Sequence, residues 1–287
     1  MNILRKIGIV LLGSTLALSC TKVITEQVVV KETETIHDTI VVTPPASSLP
    51  SWAGNSVRVG IIGDSISTFE GWIPDGYRRY YPYTGSAGSL TSVEQTWWHR
   101  LIYRLMPDAV LDRNISYSGT RVTKNASPDP EKPDLDEYDF VTRCCGFDDP
   151  DIIIVAGGTN DRPCVTQDLI GEFNYTAPLA ELDRYKFRTA YICLLRMLME
   201  KYPDTKIVCV VNNLLLTDTY KVIGESIAEI AAHYELPCAM IGETLETVGD
   251  GVHPSSAGAA RWADVVWETI ESAGIERYRK PRAGMTV

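Results

Sequence analysis

Five short apolar runs, separated by longer stretches of helical spacing, constrain this chain more than any other feature. Residues 57–62, 109–114, 152–156, 207–211 and a weaker run at 237–241 read as buried strands. Residues 93–105, 182–202, 222–234 and 257–273 space their apolar side chains as helices do. Strands that are apolar throughout need cover on both faces, and their alternation with helices gives a parallel sheet. The pattern predicts an α/β fold, a three-layer α/β/α sandwich of about five parallel strands. In such a sheet, ligands bind beyond the carboxyl ends of the strands, so chemistry is sought just after each apolar run.

With 45% apolar and 22% charged residues, the 287-residue chain has the composition of a globular protein. Residues 52–287 have a length that fits one compact domain. The net charge is −10, and removal of residues 1–19, which hold Arg5 and Lys6, leaves −12. An acidic surface without a Lys/Arg-rich stripe repels phosphate backbones, so nucleic acid is not an expected partner.

At the N-terminus, Arg5 and Lys6 precede an apolar run from Ile7 to Leu18 that ends at Leu18-Ser19-Cys20. The run is short for a hydrocarbon core of about 30 Å and has the charge-then-apolar order of an export signal. It resembles a bacterial lipoprotein signal, with Ala17 standing three residues before the cysteine. The resemblance implies that 1–19 is removed, that Cys20 carries a lipid, and that the protein is an exported lipoprotein held at a membrane, periplasmic or on the cell surface. Residues 20–51 alternate Val/Ile with Thr/Glu/Lys before Pro44-Pro45 and Ser47-Ser48, the pattern of an extended tether.

Beyond Cys20, Cys193, Cys209 and Cys238 fall in apolar periodic segments and are expected to be buried thiols. Cys144, Cys145 and Cys164 are candidates to pair with one another in some combination. No Cys-x-x-Cys pair exists, so a structural zinc site is not expected.

Four strand ends carry polar blocks. After the first run, Gly63-Asp64-Ser65-Ile66-Ser67 places a serine at a turn, where its hydroxyl is exposed and its own N–H points into the site. A serine or aspartate here is also an ordinary cap. After the second, Asn114-Ile115-Ser116-Tyr117-Ser118-Gly119 offers a backbone N–H that no Cβ shields. The third gives Gly157-Gly158-Thr159-Asn160-Asp161, where Asn160 supplies a neutral amide donor, although such residues also simply form turns. Near the C-terminus, Asp250-Gly251-Val252-His253-Pro254 sets a carboxylate where it can accept the Nδ1 proton of His253 and leave Nε2 free as a base. His37 lies in the tether, and His99 and His233 lie in helical stretches without such a partner.

Together these four blocks resemble, in order and placement, the signature of the SGNH hydrolases, also called the GDSL family. The resemblance covers nearly the whole domain from Val57 onward. It implies a flavodoxin-like fold, hydrolysis of carboxylic esters, and neither metal nor organic cofactor. It further implies Ser65 as nucleophile, His253 as general base and then acid, and Asp250 as its orienter. The oxyanion donors it implies are the N–H groups of Ser65 and Gly119 and the side-chain amide of Asn160. No Gly-x-Ser-x-Gly elbow of the α/β-hydrolase type is present.

Between Ser65 and the next helix, Phe69, Trp72, Tyr77, Tyr80, Tyr81 and Tyr83 form an aromatic segment, followed by Trp97 and Trp98. Aromatic faces with polar edges suit sugar rings, so Trp72, Tyr77, Tyr80 and Tyr81 are candidate substrate contacts and an acylated carbohydrate is the expected substrate. The alternatives are a lipase or thioesterase acting on longer acyl chains, and a glycan-binding protein without catalysis. Loss of Ser65, Asp250 or His253 would mark the last, and all three are present.

Overall fold

The computed structural model describes residues 56–85, 88–125, 131, 134–242 and 245–282. The expected leader at 1–19, Cys20 and the tether at 20–51 lie outside the described residues. The apolar runs form β1 (Val57–Gly63), β2 (Ala109–Asn114), β3 (Ile152–Ala156), β4 (Lys206–Val211) and β5 (Cys238–Met240). They pair in parallel as one sheet in the order β2-β1-β3-β4-β5. The order reverses at β1 and β3, so the ends of these two central strands face the crevice in which ligands of such sheets bind.

Because side chains alternate across a strand, each run divides between two cores. Val57, Val59, Ile61, Ile152, Ile154, Val208 and Val210 face one layer, packed with Trp97, Trp98 and Trp262. Ile62, Ile153, Val155, Ile207, Cys209 and Val211 face the other, with Phe140, Phe187, Tyr191 and Ile227. The first layer comprises α1 (Trp97–Arg100) and, at the C-terminus, α4 (Ser256–Ser272); the second comprises α2 (Phe187–Lys201) and α3 (Lys221–His233). This is the expected three-layer sandwich.

Two helical stretches are shorter than their periodicity predicts. Residues 93–105 break into a 3-10 turn (Val93–Gln95), α1 and a wider π turn (Leu101–Leu105). Thr96 has extended backbone and accepts a hydrogen bond from His99 N–H, which starts α1 afresh. In 182–202 the helix begins only at Phe187, because Asp183 accepts from Tyr185 N–H and competes with the helical pattern just before it.

The cysteine pairing expected within Cys144, Cys145 and Cys164 does not form. Cys144 and Cys164 are free thiols. Cys144 Sγ stands 3.8 Å from Cys145 Sγ, against about 2.05 Å for a disulfide, and Cys164 Sγ faces the Thr123 hydroxyl instead. Cys193 and Cys209 are buried and Cys238 is half-buried; burial pushes all three thiols up.

One buried cation ties down the carboxyl end of the sheet. Arg143 sends Nε to Ile115 O at 2.9 Å, one terminal nitrogen to Gly63 O at 2.6 Å and the other to Tyr138 O. Burial lowers its guanidinium to about 10, opposed by Tyr77, Asp139 and Asp64. Arg143→Met removes a donor from three carbonyls, of which Gly63 O keeps Tyr117 N–H at 3.1 Å, and is expected to cost about 3 kcal/mol or more in denaturant unfolding. An unchanged unfolding midpoint would show that the guanidinium does not hold these strand ends.

Candidate active site

The turn after β1 is built around glycine. A Cβ at Gly63 would sit 2.5 Å from Ser67 Oγ and 2.9 Å from Ser116 Oγ. Asp64 Oδ1 accepts from Ile66 N–H at 3.0 Å and caps the turn Ser65–Ser67. Burial raises the Asp64 carboxyl, opposed by that N–H. Two buried donors then fix the far side: Trp98 Nε1 and Asn114 Nδ2 both reach Ser67 O, at 2.9 and 2.8 Å, and Trp97 Nε1 reaches Ser67 Oγ at 3.2 Å. Both tryptophans are fully buried and therefore belong to the core.

The second part of the site arrives from the other end of the chain, on the loop before α4. Val248 N–H bonds to His253 O, folding the loop back on itself. Asp250 Oδ1 accepts from the N–H groups of Val252 and His253, both at 2.9 Å, while Oδ2 lies 2.6 Å from His253 Nδ1. Burial opposes ionisation of Asp250, but these donors and the imidazole hold its carboxyl down at about 2. His253 Nε2 in turn lies 2.8 Å from Ser65 Oγ. With Asp250 accepting from Nδ1, the neutral imidazole presents a bare Nε2 to the serine hydroxyl. Ser65 is nearly buried, at 7% exposure.

The loops after β2 and β3 supply donors for negative charge. Gly119 has φ +88°, a left-handed conformation that suits glycine. Among the described residues, the N–H groups of Ser65 and Gly119 meet no acceptor. Asn160 Nδ2 gives one proton to Thr120 O at 3.0 Å and keeps a second. The loops are joined by Asp161, which accepts from Val122 N–H, Thr123 N–H and the Thr123 hydroxyl. Gly119 and Asn160 share one wall of a cavity of about 460 Å³ that Arg121, Asn125, Leu135, Asp136 and Arg162 help to line.

This serine, imidazole and carboxylate arrangement sits on a chain whose residues 57–270 match the family model for GDSL-like lipase/acylhydrolases. The chain belongs to that family. It is an ester hydrolase of the GDSL type. Structures described as GDSL-like lipases from Bacteroides uniformis and Bacteroides ovatus are 32% and 30% identical to it, each with a TM-score of 0.64. Both cover 76% of this chain, and the chain covers 96% and 99% of them. A carbohydrate acetylesterase from Sinorhizobium meliloti shares the fold at 16% identity and a TM-score of 0.50, over 76% of this chain and 100% of that one. No curated protein matches the chain.

In this GDSL hydrolase the four aromatic candidates for substrate contact take different positions. None of Trp72, Tyr77, Tyr80 and Tyr81 lines the cavity. Tyr81 is wholly buried and gives its hydroxyl to Pro254 O at 2.9 Å, so it is a core residue beneath the histidine loop. Tyr77 packs against Tyr117 and Tyr138, and Trp72 against Trp98 and His99. Tyr80 lies on the imidazole itself: its ring stacks on His253 at 3.5 Å and 7°, and its hydroxyl donates to Asp250 Oδ2 at 3.2 Å. Sequence reasoning placed Tyr80 among substrate contacts and passed over Arg121 and Arg162, which follow Gly119 and Asn160 by two residues each; their position just past two strand ends was the available signal.

Tyr80→Phe removes a donor to Asp250 and keeps the stacking face. Its expected effect is a loss of kcat of about tenfold, on the scale of one charge-assisted hydrogen bond. Tyr80→Ala, which also frees the ring face of His253, is expected to lose more, and equal activity in all three proteins would show that Tyr80 does not position the imidazole.

Proposed function

We propose that this esterase removes short acyl groups, acetyl foremost, from carbohydrate hydroxyls through an acyl-enzyme on Ser65. His253 takes the Ser65 proton through Nε2 as Oγ attacks the ester carbonyl, and then gives it to the departing sugar oxygen. Asp250 keeps the imidazole in the required tautomer and stabilises its cation. The oxyanion falls to the N–H groups of Ser65 and Gly119 and the second amide proton of Asn160, donors that act on charge present only in the transition state. Water then repeats the sequence on the acyl-enzyme and releases the acid.

The observation that carries the substrate reading is the cavity beside Gly119 and Asn160. Polar and apolar surface share its walls about equally, and the polar half comes from Arg121, Asn125, Asp136, Asn160, Arg162 and Thr166, beside Leu135, Pro163 and Tyr220. Such walls offer hydrogen bonds to a sugar, whereas a long alkyl chain placed there would strip water from polar groups without replacing it. The same reading takes residues 52–287 as the catalytic domain, 1–19 as export signal and Cys20 as a lipid-bearing residue, with 20–51 as the tether from a membrane. Incorporation of labelled fatty acid by the parent chain and its absence in Cys20→Ser would support the anchor.

The decisive assay compares acid release from acetylated xylan, acetylated oligosaccharides and nitrophenyl esters of increasing chain length by the parent chain and Ser65→Ala. The parent chain is expected to favour acetyl esters and the variant to be inactive. Preference for long chains favours the lipase alternative, and an active variant removes Ser65 from the mechanism. Since Asp250 is held at about 2, it stays ionised through the working range, above about pH 4. Protonation of Asp250 is therefore expected to add no acid limb to kcat/KM above about pH 4, and an acid limb in that range that Asp250→Asn removes would show that its carboxyl is not held down.

A further inference from the structure

The cavity wall beside Gly119 and Asn160 carries more positive charge than a neutral sugar needs. Arg121 and Arg162 both line it, and Asp136 is the one carboxylate among the lining residues. Neither guanidinium forms an ion pair among the described residues, whereas Arg58, Arg184 and Arg282 each hold one or more aspartates. Arg162 spends only Nε, on Thr159 O at 2.9 Å, and lies 5.5 Å over the Tyr220 ring. Arg121 spends one terminal nitrogen on Asn125 Oδ1 at 3.3 Å. The carboxylates close by are already engaged. Asp136 Oδ1 accepts from Asn125 N–H, and buried Asp161 turns its oxygens to Val122 and Thr123.

Two half-buried arginines with unspent donors, in a protein of net charge −10, form a local exception to the field around them. A guanidinium presents a planar fork that matches a carboxylate. We propose that this wall is an anion subsite: the substrate of the reaction above carries a carboxylate near its ester, and Arg121 and Arg162 bind it. The proposal rests on the esterase reading and refines its substrate class. The carboxylate has two sources, the sugar itself as a hexuronate or the acyl group as a hemiester of a dicarboxylic acid. The chemistry of recognition is the same for both.

The test uses the full chain and two matched substrate pairs: an acetylated hexuronate trimer against the acetylated neutral hexose trimer, and a nitrophenyl hemisuccinate against nitrophenyl butyrate. The readout is the ratio of kcat/KM within each pair. The parent chain is expected to favour the anionic member of one pair about tenfold at low salt, the scale of one charge-assisted contact. The ratio should shrink as sodium chloride is added. Arg121→Gln and Arg162→Gln should each lower it several-fold, and the double variant should bring it to about one, while Arg162→Lys retains part of it. Calorimetry on Ser65→Ala with the unacetylated hexuronate and neutral trimers reads binding without turnover, and is expected to rank them in the same order if the sugar carries the charge.

Ratios near one in both pairs, or a preference that survives the double variant, overturn the anion subsite. In that case efficient cleavage of the neutral acetylated trimer leaves the deacetylase reading standing. A preference confined to the hemisuccinate upholds the subsite, assigns the charge to the acyl side and overturns the acetyl reading.

Discussion

Carbonyl groups at the carboxyl end of a parallel sheet point toward the site and need donors that the sheet itself does not contain. Here buried side chains from distant parts of the chain supply several of those donors, beside the N–H of Tyr117, which also reaches Gly63 O. Arg143 reaches Gly63 O and Ile115 O at the ends of β1 and β2, and Trp98 and Asn114 converge on Ser67 O. An unpaired buried carbonyl costs about 1–3 kcal/mol, so these contacts leave the Ser65 turn little freedom. Since the turn carries the serine, the same bonds that satisfy the strand ends also fix where Oγ points.

The electrostatics of the Asp250 loop follow from a similar saturation. Oδ1 takes two backbone N–H groups, and Oδ2 takes the imidazole and the Tyr80 hydroxyl. A carboxylate so fully engaged stays ionised, whatever burial does against it, and it can accept the Nδ1 proton in only one direction. Tyr80 restricts the imidazole from its face while Asp250 restricts it from its edge. An aromatic residue of the segment after the nucleophile thereby holds the base. On the other side of the site, the loops after β2 and β3 meet through Asp161 and expose Arg121 and Arg162 to the cavity.

The fold was readable because each strand is a local apolar run and each connection a local helical pattern, so periodicity alone gives the layers. Strand bounds agree to within one residue at most ends, and the disagreements lie where side chains interfere with local geometry: Thr96 interrupts one helix, and Asp183 delays another. The four polar blocks were readable for the same reason, since a glycine turn or an Asp three residues before a His is a short-range device. Aromatic content misled at Tyr81, which is buried, because no local sign distinguishes a ring facing the core from one facing a ligand.

By itself, then, the sequence determined the layer order, the strand ends and the chemical identities of Ser65, Asp250, His253, Gly119 and Asn160, all of which depend on neighbours a few residues away. Tertiary structure alone decided that Ser65 and His253, 188 positions apart, stand 2.8 Å from each other. It also decided that Arg143 holds three strand-end and loop carbonyls, that Tyr80 lies against the imidazole, and that two arginines share one cavity. Contacts of this kind join segments far apart in the chain, and their partners are fixed only when the sheet and its covering helices have packed.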